Sequence, residues 1–132
     1  MATLAQLFLT SSDLKTTREF YEAAVGLEPR TIGDSSVAYE TGACELKIEA
    51  DFDPEELAAF GLSAPGDSRG DGAVVVLAVD EPLPEIYERM ERELADRPGE
   101  LLIEPREVPW GGHIFLARDP DGYVLEIRRA DG

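Results

Sequence analysis

The sequence has few sulfur, imidazole and lysine side chains. It holds one cysteine, one histidine, one tryptophan and two methionines in 132 residues, and Lys15 and Lys47 are its only lysines. A lone Cys44 excludes a disulfide framework and removes any need for an oxidising compartment. A lone His113 leaves one imidazole, a candidate general base. No apolar run approaches the roughly 20 residues of a helical membrane span, and no basic segment followed by an apolar stretch opens the chain, so a cytoplasmic protein without a membrane partner is expected. Basic residues are scarce and the only local pair is Arg128-Arg129, which excludes a phosphate-binding surface and with it nucleic acid.

Against those absences stands an excess of acid. Asp and Glu number 28 against 12 Lys and Arg, a formal charge of −16. The acids are spread along the chain, which suits a protein that works in concentrated salt, where self-repulsion is screened; a field that attracts a cationic ligand is the other reading. With 43% hydrophobic and 30% charged residues, the chain reads as one soluble domain. At this length folding should bury roughly two-thirds of the unfolded surface without a staple.

The local patterns repeat. Leu4 to Thr10 is strand-like, and Ser11-Ser12-Asp13 caps a helix from Leu14 that carries Tyr21, Ala24 and Val25 on one face and stops at Gly26. Short strand-like runs follow at Pro29 to Ile32, Val37 to Thr41 and Cys44 to Ala50. Asp53-Pro54 opens a short helix ended by Gly61, and Ala64 to Gly72 reads as a connector without the helix that a phosphate-cradling glycine loop requires. The pattern then restarts. Val74 to Val79 is a strand, Asp80 to Pro84 opens a helix with Ile86, Met90 and Leu94, and Pro98-Gly99 closes it. Leu101 to Ile103, His113 to Ala117 and Tyr123 to Arg128 supply three more strands. Tyr21 answers Tyr87, and Asp13 answers Asp80 or Glu81, an offset of 66 to 68 residues. Two β-α-β-β-β modules of that size share one core more readily than they stand alone. Their boundaries fall at about residues 1–52 and 73–132, with residues 53–72 between them. The expected fold is α+β: two tandem modules forming a cupped mixed sheet, helices on its outer face, the other face open as a cleft.

Particular residues then carry a resemblance. Asp13-Leu14, Phe20-Tyr21 and Val25-Gly26-Leu27, with Trp110-Gly111-Gly112 and Asp119-Pro120-Asp121-Gly122-Tyr123-Val124-Leu125-Glu126-Ile127, resemble the vicinal oxygen chelate superfamily, which includes glyoxalase I, bleomycin-resistance proteins, fosfomycin-modifying enzymes and extradiol dioxygenases. The resemblance spans essentially the whole chain. It implies a homodimer, and in the metal enzymes one ligand on the first and last strand of each module. Gln6 matches the first position and Glu126 the fourth. Glu45 matches the second unless the strand is aligned with a two-residue slip toward Lys47 or Glu49. The third position, a histidine in glyoxalase I, is Val74 here. The Asp119 to Gly122 stretch is read as a turn that marks the family without chemistry of its own.

Side chains alternate across a strand. Leu125 and Ile127, like Cys44, Leu46 and Ile48, suit the helix side, which sends Glu126, Arg128 and Glu45 to the cleft, along with Val74 and Val76. Cys44 is then a buried small hydrophobe rather than a nucleophile. By parity with Phe115 and Ala117, His113 is placed in the cleft, where it could act as a base with Glu45 or Glu126 or substitute for the missing imidazole. Trp110 either stacks on a planar ligand or plugs the end of the core; Phe8 either faces the cleft or fills the core; Tyr39 is a further candidate. Glu126 is expected to pair with Arg128 or Lys47.

Two functions follow. The first is a small-molecule binder of the bleomycin-resistance type without a complete metal site. Its ligand would meet Phe8, Glu45, Val74, Val76, Trp110, His113 and Arg128, and a cationic or amphipathic molecule would suit the acids. The alternative is a glyoxalase-like lyase or isomerase with Glu126 and His113 as catalytic groups. There Gln6, Glu45 and Glu126 would hold a divalent ion; Mn or Mg suits the oxygen donors, while Ni, Co and Zn prefer an imidazole.

Overall fold

A computed structural model describes residues 1–130 of the chain. Module 1 runs β1 (Gln6–Ser11), α1 (Leu14–Glu19), β2 (Pro29–Ile32), β3 (Ser36–Glu40) and β4 (Glu45–Ala50). A short α2 (Pro54–Ala59) opens the connector. Module 2 repeats the plan with β5 (Val74–Val79), α3 (Leu83–Leu94), β6 (Glu100–Glu107), β7 (His113–Arg118) and β8 (Val124–Arg129). The strand orders are β1-β4-β3-β2 and β5-β8-β7-β6, with the first and last strand of each module parallel and the other pairs antiparallel. The fold is the expected α+β architecture, resolved into two four-stranded mixed sheets with β1 and β5 each at an edge.

Asp13 caps α1, its carboxylate accepting from the Thr16 amide at 3.2 Å. At Phe20 the helix widens into a π-helical stretch, Phe20–Val25, which the apolar spacing did not foretell. The Tyr21 carbonyl accepts from both Gly26 and Leu27, and Gly26 takes a φ of 95° to end the helix. The wider turn accommodates two consecutive aromatic side chains, Phe20 and Tyr21, both buried. β6 is longer than expected because it is an edge strand, where irregular pairing tolerates Pro105.

The modules share one apolar core, in which Leu46, Ile48 and Tyr21 of module 1 join Ile86, Met90, Phe115 and Ile127 of module 2. Polar contacts lock the joint. Arg89 of α3 donates to the carbonyls of Ala24 and Val25, which the first helix leaves without partners at its end. The turn between β7 and β8 is anchored to module 1 by two carboxylates. Asp119 accepts from the buried Tyr21 hydroxyl at 2.6 Å and from the amides of Asp121 and Tyr123. Asp121 accepts from the amide and hydroxyl of Ser12 and from the Thr17 hydroxyl.

Burial raises the Asp119 carboxyl above its ordinary range despite those bonds. Burial also raises Asp121, but the Ser12 and Thr17 donors outweigh it and hold that carboxyl low. Gly70 of the connector lies against Gly122, where a Cβ would stand 2.0 Å from the Gly122 carbonyl oxygen. Its glycine therefore serves backbone contact between the connector and module 2.

Candidate functional site

Each sheet keeps one face for the core and one open. In module 1 the open face carries Gln6 and Phe8 on β1 beside Glu45, Lys47 and Glu49 on β4. Gln6 stands opposite Glu45 and its amide donates to Glu45 Oε2 at 2.5 Å. Lys47 lies 3.7 Å from a Glu49 oxygen and 5.4 Å from the centre of the Phe8 ring. Phe8 is 41% exposed and stacks on Phe52, so it faces outward and is no core filler. Gln6, Thr31, Ser36, Ala38, Glu45 and Lys47 line a depression of about 210 Å³ on this face.

In module 2 the same face is mostly aliphatic. Val74 and Val76 of β5 are 55% and 51% exposed, and Ile114 and Leu116 of β7 stand opposite Arg128 and Glu126. The loop leading into β7 folds over this end of the sheet. It is closed by Val108 and Gly112, the amide of the first donating to the carbonyl of the second, and by the Gly111 amide on the Val108 carbonyl. Trp110 at its tip is 65% exposed, so it does not plug the core, and its indole N–H donates to Glu126 Oε1 at 3.2 Å. Glu126 is left 9% exposed, and the expected pairing with Arg128 or Lys47 does not form: Trp110 takes the carboxylate and Glu49 takes Lys47.

Three placements differ from expectation. His113 does not enter the cleft. It shares the face of Phe115 and Ala117, and that face packs on α3, where Phe115 meets Tyr87 edge-on with ring centres 5.3 Å apart. The open-face residues of β7 are therefore Ile114, Leu116 and Arg118, and His113 is an exposed side chain at the strand's start. Tyr39 is fully buried on the helix side, its hydroxyl donating to Glu22, and takes no part in the cleft. Cys44 precedes β4 and is half-exposed, not buried.

The register decides how the candidate ligands stand to one another. Gln6 opens β1 and Val74 opens β5; Gln6 faces Glu45, whereas Val74 faces Val124. Two residues further along, Phe8 faces Lys47 and Val76 faces Glu126. Lys47 is thus the internal counterpart of Glu126, and Val124 that of Glu45. The two carboxylates come from different levels of the repeat, and at either level one module offers an ammonium or an aliphatic group in place of the acid. A divalent ion held by both modules needs oxygen or nitrogen lone pairs from both at one level. The donor set of this chain does not fit such an ion. Among the described residues no three His, Cys, Asp or Glu side chains come together.

Comparisons with known proteins agree with the architecture. The sequence pattern of the Glyoxalase/Bleomycin resistance protein/Dioxygenase superfamily matches residues 3–127. A glyoxalase-related enzyme from Fulvimarina pelagi superposes with a TM-score of 0.77 at 21% identity, over 99% of this chain and 90% of that one. A glyoxalase/bleomycin resistance protein/dioxygenase from Nocardioides gives 0.71 at 19%, over 100% and 87%. A family enzyme from Burkholderia phytofirmans gives 0.71 at 15%, over 97% and 98%. No curated protein matches the chain. At these identities the solved structures speak for the fold alone.

Proposed function

We propose a function from one premise: the chain belongs to the Glyoxalase/Bleomycin resistance protein/Dioxygenase superfamily. Within it, the protein binds a small organic molecule on the open faces of its sheets without a resident metal ion. One observation carries this reading. Lys47 occupies the place in module 1 that Glu126 occupies in module 2, so the carboxylates do not form a ring around one ion. An exposed tryptophan beside an aliphatic floor offers a ligand surface in its place.

A second copy of the chain completes the reading. The surface of 8078 Å² exceeds by about 1,200 Å² what a compact monomer of this mass exposes. Phe8, Val74 and Val76 on the edge strands are exposed apolar side chains that a second copy would cover. No described helix is long and apolar enough to cross a membrane.

Metal analysis of the purified protein, followed by calorimetric titration with Mn, Ni, Co and Zn, tests the reading. Wild type and Glu126→Ala are both expected to show no stoichiometric binding. One-to-one binding that Glu126→Ala abolishes would overturn it in favour of a lyase or isomerase using Gln6, Glu45 and Glu126. Sedimentation tests the second copy, with a dimer expected.

A further inference from the structure

Basic side chains are few in this protein and most have acidic partners. Arg18 pairs with Glu22, Arg30 with Glu40, Lys47 with Glu49, Arg69 with Asp51, Arg89 with Glu81, and Arg118 with Glu100. Arg97 and Arg106 reach Glu93 and Glu104. Lys15 and Arg92 have no ion pair among the described residues, and both are exposed to water.

Arg128 differs from all of them. It is half-buried, and among the described residues its guanidinium has neither an ion pair nor a hydrogen bond. It stands on the open face between Ala78 and Ile114, its tip against Gly112, 3.7 Å from where a Cβ on that glycine would lie. Glu126, two residues away on the same face, is turned to Trp110 and largely covered. With 28 acids available, a partly desolvated guanidinium without a carboxylate is an open position.

We propose that Arg128 is the anchor for an anionic group of the ligand, and that the ligand is a planar aromatic carboxylate lying between Trp110 and the Val76 edge. This inference rests on the small-molecule reading above and names its ligand class, in contrast to the cationic ligand that the net charge suggests. A guanidinium presents parallel N–H donors that match a carboxylate in two bonds. The exposed indole supplies a flat face for the ring, and the closed Val108–Gly112 turn holds that face in place. The covered Glu126 carboxylate, turned to the indole N–H, offers little repulsion. The overall charge of −16 acts mostly through solvent and is screened, whereas Arg128 acts at contact.

Three probes of one shape test the charge preference: 1-naphthoate, 1-naphthamide and 1-naphthylmethylammonium. They are titrated into full-length protein while the single indole N–H resonance of Trp110 is followed by NMR. Wild type should bind naphthoate about 10- to 100-fold more tightly than the amide, the range expected for charge-assisted hydrogen bonds. Arg128→Gln should erase that preference by weakening naphthoate far more than the amide, and Arg128→Lys should restore part of it. Equal binding of the three probes, or preference for the ammonium, overturns the anionic assignment while the small-molecule reading stands. No shift of the indole resonance by any probe overturns both. A variant whose sedimentation changes while its probe preference is kept would assign Arg128 to contact between copies and likewise overturn the proposal. The wild-type comparison of naphthoate with naphthamide decides the matter even where a variant fails to fold.

Discussion

The two modules share a strand plan, a helix position and a parallel pairing of first and last strand, and they differ in the chemistry of the open face. Module 1 shows paired polar groups, Gln6 with Glu45 and Lys47 with Glu49. Module 2 shows valines, a covered Glu126 and an Arg128 without a partner among the described residues. Their helix faces, by contrast, are alike: Leu46 and Ile48 on β4 do what Leu125 and Ile127 do on β8. The shared core constrains one face of each sheet, while the open faces are free to diverge, so a repeated backbone does not imply a repeated site.

The largest expected effect comes from forcing the connector away from the β7–β8 turn of module 2. Gly70→Ala should lower stability by about 3 kcal/mol, since its Cβ meets the Gly122 backbone and not a flexible side chain. Urea denaturation checks this; a loss equal to that of Ala substituted at the open position Gly66 would show that the backbone contact does not matter.

Next is the carboxylate that joins the β7–β8 turn to Tyr21. Asp119→Ala leaves a buried hydroxyl and two turn amides without their acceptor and should cost about 2 kcal/mol, and Tyr21→Phe less. Indifference of stability to both changes would mean that the apolar core alone joins the modules.

Acid should act on the same joint through Asp121 and Asp119 and on module 1 through Glu22, with the sign set by each group. Asp121 and Glu22 are held low in the fold, so the stability they contribute is present above their unfolded pKa and is lost as pH falls through the folded value, below about pH 4. Burial raises both, but the Ser12 and Thr17 donors win at Asp121, and Arg18 and the Tyr39 hydroxyl win at Glu22. Asp119 is raised and works in the opposite sense, favouring the fold as it protonates. Thermal melts from pH 6 to pH 2 should therefore fall for wild type and fall less for Asp121→Asn; equal slopes would remove Asp121 from the account.

The smallest effects lie on the open faces. Lys47→Met should change stability by about 0.5 kcal/mol, because its side chain is partly solvated and does not support the core, and Trp110→Phe by about 1 kcal/mol, because it also takes the indole donor from the covered Glu126. A loss above about 2 kcal/mol from either would mean that its face is packed in solution, and would sharpen the case for a second copy over it.

Much of the fold could be read from local patterns, since caps, glycine stops and alternation act over a few residues. Asp13, Gly26, the Asp53-Pro54 helix start and the alternation of β4 and β8 all appear where expected. The misplacement of His113 has a definite cause. β7 is a central strand buried on both faces, Ile114 on one and Phe115 on the other, so alternation could not say which face was open. The Trp110-Gly111-Gly112 loop was legible as a motif, but whether Trp110 faced a ligand or the core was not, because its position depends on a hydrogen bond to Glu126, 16 residues away.

The sequence by itself determined the repeat, the family and the acid excess, because these are written in spacing and composition. The tertiary structure alone decided which residues share a level. It set Lys47 as the counterpart of Glu126 and left Arg128 without a carboxylate among the described residues. The reason is physical: register between strands is a relation of distant segments, settled by the core they bury together, and a shift of two residues preserves the face of every side chain while changing every neighbour.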